Sequence, residues 1–178
     1  MDKNFKYKRI IILGGSGSGK SSLAERISKY TGYPLFNLDA MLHDMYWNKL
    51  DKDKWLEICE KKIFVNNTAV VDGNYTSILE KRVIWADLII FIKLSTFTLF
   101  YRNIKRFIKI ELGLEKRKGT LKEHKNIFTI KHLFWVLNWN RNSRKKVFLI
   151  LNSVKDKKIL IIKKPKKLNL EELLEMTQ

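Results

Sequence analysis

The sequence predicts an α/β domain built on a parallel sheet. Three observations carry that reading: five short apolar runs recur along the 178 residues, helix-type stretches lie between them, and the runs are near-continuous rather than alternating. A strand covered by helices on both faces needs apolar side chains on both, so it loses the period of two seen where one face meets water. The runs are "RIIIL" (9–13), "PLFNL" (34–38), "TAVVD" (68–72), "DLIIFI" (87–92) and "KILII" (158–162). Hydrophobic residues make up 45% of the chain, enough for a proper core. No repeat, low-complexity tract or linker divides it, so residues 1–178 are expected to form one domain.

The helices follow in order. "KSSLAERISKYTG" (20–32) is expected to be helical up to Gly32, just before Pro34. "DKDKWLEICEKKIF" (51–64) places Trp55, Ile58, Cys59 and Ile63 at helical spacing, with Asp51 or Asp53 serving its N-terminus. "TLFYRNIKRFIKIEL" (98–112) is a longer amphipathic helix. "GLEKRKGTLKEHKN" (113–126) holds two glycines and little apolar content, and a mobile loop or lid is expected over residues 111–130. Helix resumes over 128–151, and "LNLEELLEM" (168–176) forms one more.

The net charge of +18 draws in polyanions of any sequence. Its lysines are spread along the chain rather than gathered in a tail, so nucleic acid is a secondary partner class and not the primary one. The single cysteine, Cys59, excludes an internal disulfide and reads as a small apolar core residue, which fits a reducing cytoplasm. The apolar stretch near the N-terminus is shorter than a signal segment requires. The most apolar window lies between Asp87 and Arg102 and is broken by Lys93, so no membrane span is expected.

Half of the chain's 8 glycines fall in "LGGSGSGKSS" (13–22). Gly14, Gly19, Lys20 and Ser21 satisfy G-x-x-x-x-G-K-[ST] in full, with a strand before and a helix after, the setting a phosphate-binding P-loop requires. Gly14, Gly15, Gly17 and Gly19 lack Cβ atoms, so successive N–H groups, with those of Ser16 and Ser18, can curl around a phosphate at a helix N-terminus. Residues Gly14 to Ser22 are therefore the nucleotide-binding set: Lys20 reaches the β- and γ-phosphates, and the Ser21 hydroxyl ligates Mg²⁺ with Ser22 beside it. "NKLD" (48–51) matches the N-K-x-D box that reads guanine, yet it comes only about thirty residues after the loop, where a helix is expected to open. ATP is the better match.

The loop, "FNLDAM", "AVVDGNY", "ADLIIFIKLSTFTLFYRNIKR" and "WNRNSRKK" together resemble the bacterial topology modulation protein family over about residues 8–175. That family is a branch of the P-loop kinases related to adenylate, shikimate and gluconate kinases. The resemblance implies a P-loop NTPase fold with a five-stranded parallel sheet of order 2-3-1-4-5, a lid, and ATP- and Mg²⁺-dependent transfer of a phosphoryl group to a small polar acceptor. The family's name keeps a second reading open, a nucleotide-dependent nucleic-acid-binding protein that affects DNA topology.

Carried onto this chain, "VVDG" (70–73) resembles the "LLDG" strand end of adenylate kinases. Asp72 would then hold Mg²⁺ through water, with Gly73 and Asn74 on the substrate side, against an ordinary turn or cap role for Asp72. Asp39 in "LDA" resembles the first acid of the "LDGD" segment of gluconate and shikimate kinases, as substrate ligand or catalytic base, against a helix N-cap. The second acid of that pattern falls on Met41.

Phosphoryl transfer asks the protein for position and positive charge. Arg102 and Arg106 stand four residues apart on one helix face, and Arg141 and Arg144 flank the other end of the lid. These four are the expected charge stabilisers, each alternatively a solvated surface charge. Arg82 is the candidate clamp for an acidic or phosphorylated acceptor. Trp135 and Trp139 share a helix face, spaced either to stack a base or to fill a core, with Phe134 beside them. His43, His124 and His132 show no metal or nucleophile spacing.

Overall fold

The computed structural model describes residues 5–43, 51–114, 130–154 and 156–175. It is a five-stranded sheet in the order β2-β3-β1-β4-β5, every pairing parallel, as the resemblance implied. The strands are β1 (Arg9–Gly14), β2 (Leu35–Asn37), β3 (Ala69–Asp72), β4 (Leu88–Ile92) and β5 (Lys158–Ile162).

Between and after them run α1 (Lys20–Thr31), α2 (Leu38–His43), α3 (Lys52–Cys59), α4 (Leu79–Trp85), α5 (Thr96–Glu111), α6 (Ile130–Trp139), α7 (Ser143–Ser153) and α8 (Leu170–Leu174). Helix α1 stops as expected: Gly32 adopts the left-handed conformation and its N–H returns to the Ser28 carbonyl at 2.8 Å. Three expectations are corrected. The run at 34–38 yields its last residue to a helix, because Asn37 accepts from the Ala40 N–H at 2.9 Å and caps α2. The stretch 128–151 divides into α6 and α7, where Asn140 turns its amide to the Leu94 carbonyl and the Thr96 hydroxyl. Helix α3 passes into a π-helical turn (Glu60–Phe64) rather than running on as one helix. Helix α4 carries no strong periodic signal and was not anticipated. The lid expected over 111–130 lies outside the described residues, save 111–114 and 130.

Strand side chains alternate between two buried cores. Ile11, Leu13, Val71, Ile89 and Phe91 meet Leu38, Trp55, Ile63, Leu79, Val83, Leu99, Trp139 and Val147 on one face. Ile10, Ile12, Val70, Leu88, Ile90 and Ile92 meet Phe5, Leu23, Ala24, Ile27, Leu170 and Leu174 on the other. Each fully buried Ile or Leu contributes about 1.5–3 kcal/mol, so the sheet is the rigid element of the molecule. Cys59 sits in the first core, fully buried, and burial pushes its thiol up to about 11, which leaves it inert. Among the described residues no helix is long and apolar enough to cross a membrane.

This packing places the carboxyl ends of β1 and β3 side by side, with Ile12 opposite Asp72, and Asp72 in turn opposite Asn37 of β2. Ligands in open parallel sheets bind outside that edge. The Asp51 side chain accepts from the Lys54 N–H at 2.8 Å and caps α3, which gives the last residue of the N-K-x-D match a local structural task. Asp51→Ala is expected to cost about 1 kcal/mol in urea unfolding; an unchanged midpoint would return Asp51 to a ligand-reading role.

Candidate active site

Residues 15–19 join the carboxyl end of β1 directly to α1, which sets the loop at a helix N-terminus, where an anion is favoured. Two of its glycines are dictated by neighbours. Gly17 has φ +74°, and a Cβ there would lie 2.7 Å from Asn103 Nδ2. Gly15 has no such φ; its Cβ would fall 2.6 Å from Leu99 Cδ1 and 2.8 Å from Trp139 Cδ1. The bare backbone at Gly15 thus already answers to α5 and α6.

Lys20 donates to the Gly15 carbonyl at 3.3 Å, folded back across the loop. Ser21 Oγ donates to Asp72 Oδ2 at 2.6 Å, and Asn37 Nδ2 reaches the same oxygen at 3.1 Å. The other oxygen, Asp72 Oδ1, is buried and has no hydrogen-bond partner among the described residues. Burial pushes the Asp72 carboxyl above its usual range, with Asp39 adding to the rise, while Lys20, Ser21 and Arg82 pull the other way. A hydroxyl beside a buried carboxylate with one open oxygen fits a hydrated Mg²⁺, an ion that takes one or two carboxylates and completes its shell with water and phosphate. Among the described residues no group of three or more acidic, histidine or cysteine side chains gathers, so a protein-enclosed metal cage is not what this site offers.

Asp39 lies exposed in the first turn of α2, near enough to act on Asp72 electrostatically, and it is hydrogen-bonded to the Tyr75 hydroxyl. The N-cap alternative for Asp39 falls, since Asn37 fills that position. Burial and then the Asp39 carboxylate push the Tyr75 phenol up, so it remains a hydrogen-bond donor at neutral pH.

Two expected acceptor-side residues have other tasks. Arg82 is fully buried; it donates to the carbonyls of Gly73 at 2.7 Å, Asn74 at 2.6 Å and Tyr75 at 3.2 Å. Burial lowers its guanidinium to about 10, still cationic at neutral pH. A clamp on an acceptor would have to leave those carbonyls, so Arg82 shapes the 73–75 segment instead. Asn74 is likewise committed: its Oδ1 accepts from Gly14 N–H at 3.0 Å and its Nδ2 donates to Gly14 C=O at 2.7 Å. Gly73 has φ +136°, and a Cβ there would lie 2.9 Å from Leu38 Cβ, so its lack of a side chain is accounted for by Leu38 rather than by the substrate approach expected of it.

Arg102 Nη1 lies 3.4 Å from the Ser18 carbonyl, and Arg106 lies one turn further along α5. Arg141, exposed, and Arg144, half-buried, stand around the start of α7. That segment is tied to the site by Trp139 against Gly15 and by Asn140 on Leu94. Trp139 is buried and packs on Trp135 with centroids 5.4 Å apart, which leaves no room for a base between them. Asn103 was missed. It is 7% exposed, and no motif marks it. Its amide donates to the Ser16 carbonyl at 2.9 Å and accepts from Ser16 Oγ at 2.8 Å.

No family model and no curated protein sequence matches the chain. Among solved structures, the shikimate kinase from Bacteroides thetaiotaomicron aligns with a TM-score of 0.61 at 12% identity, covering 94% of this chain and 98% of that one. A deoxyadenosine kinase from M. mycoides, solved with bound dATP, gives 0.50 at 16% identity over 92% and 94%. These likenesses show the P-loop kinase fold. The resemblance to topology modulation proteins rests on the quoted motifs.

Two expectations come from the buried charges. In the fold Asp72 holds its proton to higher pH than in the unfolded chain, so the buried carboxylate costs stability above its folded pKa and nothing well below the unfolded one. Asp72→Asn should therefore raise the Tm of the ligand-free protein near pH 7, with the gap closing as pH falls towards about 4. A lower Tm at every pH would make the carboxylate a structural anchor. Arg82→Leu leaves three carbonyls without their donor and should cost about 3 kcal/mol in urea unfolding; a loss under about 0.5 kcal/mol would free Arg82 for the acceptor.

Proposed function

We propose that this chain is an ATP- and Mg²⁺-dependent kinase that transfers the γ-phosphoryl group directly to a small polar acceptor such as a nucleoside or nucleotide. The observation that supports it most is the pair Ser21 and Asp72 at 2.6 Å, with Asp72 Oδ1 without a hydrogen-bond partner among the described residues and Asp39 within electrostatic reach of that carboxylate. One edge of the sheet thus offers a phosphate cradle, a metal-binding oxygen and an acceptor-side carboxylate.

In this reading the loop N–H groups and Lys20 bind the β- and γ-phosphates, Lys20 leaving the Gly15 carbonyl to do so. Ser21 and Asp72 hold Mg²⁺, which when bound neutralises charge on the phosphate oxygens. Asp39 accepts a hydrogen bond from the acceptor hydroxyl and takes its proton as that oxygen bonds to the γ-phosphorus and the bond from the γ-phosphorus to the β–γ bridging oxygen breaks, releasing ADP, with Tyr75 fixing the carboxylate's orientation. Arg102, Arg106, Arg141 and Arg144 meet the charge that spreads over the migrating group. The fold shared with small-molecule kinases supports a small acceptor, and the +18 charge supports work on anionic substrates.

A γ-phosphate transfer screen over nucleosides, nucleotides, sugars and small acids tests the proposal, with Lys20→Ala expected to lose turnover while keeping the parent's Tm. Single Arg→Ala changes at 106, 141 and 144 should lower kcat about a hundredfold, ~3 kcal/mol, with little change in ATP affinity. Normal turnover in those variants would remove these arginines from the transfer step, whereas no transfer to any of these acceptors, with DNA binding whose salt dependence flattens by about one unit per arginine, would favour the nucleic-acid reading and sink the kinase.

A further inference from the structure

The carbonyls of Gly14, Ser16 and Ser18 alternate along the phosphate loop, and a side chain outside the loop meets each one. Asn74 Nδ2 lies 2.7 Å from Gly14 O, Asn103 Nδ2 2.9 Å from Ser16 O, and Arg102 Nη1 3.4 Å from Ser18 O. In a trans peptide the C=O and the following N–H point in opposite directions. A carbonyl pinned on the outside therefore turns the next residue's N–H inward.

Of the three, Asn103 is the most committed. It is buried, its Nδ2 also donates to the Leu99 carbonyl of its own helix at 2.7 Å, and its Oδ1 takes the Ser16 hydroxyl at 2.8 Å. The amide has no rotational freedom left, so Ser16 is held at both its main-chain carbonyl and its side-chain oxygen. Gly17, the residue that follows, closes on the same amide so tightly that a Cβ would meet it at 2.7 Å. The helix could be built here with any good helix former, and an asparagine at the eighth residue of α5 carries a propensity cost.

We propose that Asn103 is a positioning residue for phosphate binding: it fixes the Ser16–Gly17 peptide so that the Gly17 N–H is aimed at the anion before a nucleotide arrives. This rests on the nucleotide-binding part of the reading above and is independent of the acceptor. Pre-set donors cost nothing to reorganise when the ligand comes, so the gain is in affinity for the phosphate end alone.

The test uses the full chain and three probes in titration calorimetry: ATP with Mg²⁺, inorganic tripolyphosphate, and adenosine. Asn103→Ser removes the reach to the Ser16 carbonyl, and Asn103→Asp sets an acceptor against it; either serves if the other does not fold. Both are expected to weaken ATP and tripolyphosphate about tenfold or more, with adenosine bound as by the parent. Tripolyphosphate bound within twofold of the parent by a folded variant would overturn the proposal. So would an adenosine affinity that falls by the same factor, since that marks general loosening. A parent that binds neither ATP nor tripolyphosphate overturns this inference and the nucleotide reading together, whereas a parent that binds both alongside unaffected variants overturns this inference alone.

Discussion

A loop that holds an anion with its own N–H groups must have its carbonyls held by something else. In a helix or sheet most main-chain groups pair within the element, but residues 15–19 lie between β1 and α1, and on the nucleotide-binding reading the N–H groups not already paired there are kept for a ligand. The carbonyls are therefore met from β3's end and from α5, through Asn74, Asn103 and Arg102, while the Gly15 carbonyl accepts from Ser18 N–H at 3.1 Å and from Lys20. The loop's shape is set by those side chains, and the position of each is set by the sheet.

The same dependence explains the two buried charges. Asp72 is withdrawn from water, and only Ser21 and Asn37 hydrogen-bond to it among the described residues, so one oxygen stays open at a cost in stability. Arg82 donates to all three carbonyls of the 73–75 segment. Without that hold the segment carrying Asn74 and Tyr75 would have no fixed relation to β3. Asn74 then reaches back to Gly14, and Tyr75 forward to Asp39. A single buried cation thus holds the segment that joins Gly14, through Asn74, to Asp39, through Tyr75.

Much of the fold was legible in the sequence, because strands buried on both faces write unbroken apolar runs and a phosphate loop writes its glycines. All five strands fell within a residue or so of their runs, and α1 ended at its glycine. Helix α4 was hidden because "LEKRVIW" puts only a short apolar face against the core. The break between α6 and α7 was hidden because no proline or glycine marks it; it depends on where the Asn140 amide finds partners in a distant segment. In the site, the placing of Ser21 beside Asp72 was legible, since each stands next to the end of a neighbouring strand. The roles of Arg82, Asn74 and Asn103 were not, because an arginine or asparagine looks the same in sequence whether its donors face water or a carbonyl 60 or 87 residues away.

The contact between Gly15 and Trp139 changes how substitutions in the loop are to be judged. A glycine in a phosphate loop invites the assumption that the nucleotide forbids anything larger, yet here the obstruction is an indole on α6 and a leucine on α5. The two positions are mutually conditioned: the volume denied at 15 is the volume filled at 139. Sequences that drift away from tryptophan at 139 gain latitude at 15, and a damaging alanine at 15 has its natural suppressors among smaller residues at 139 and 99, far along the chain from the loop they would repair.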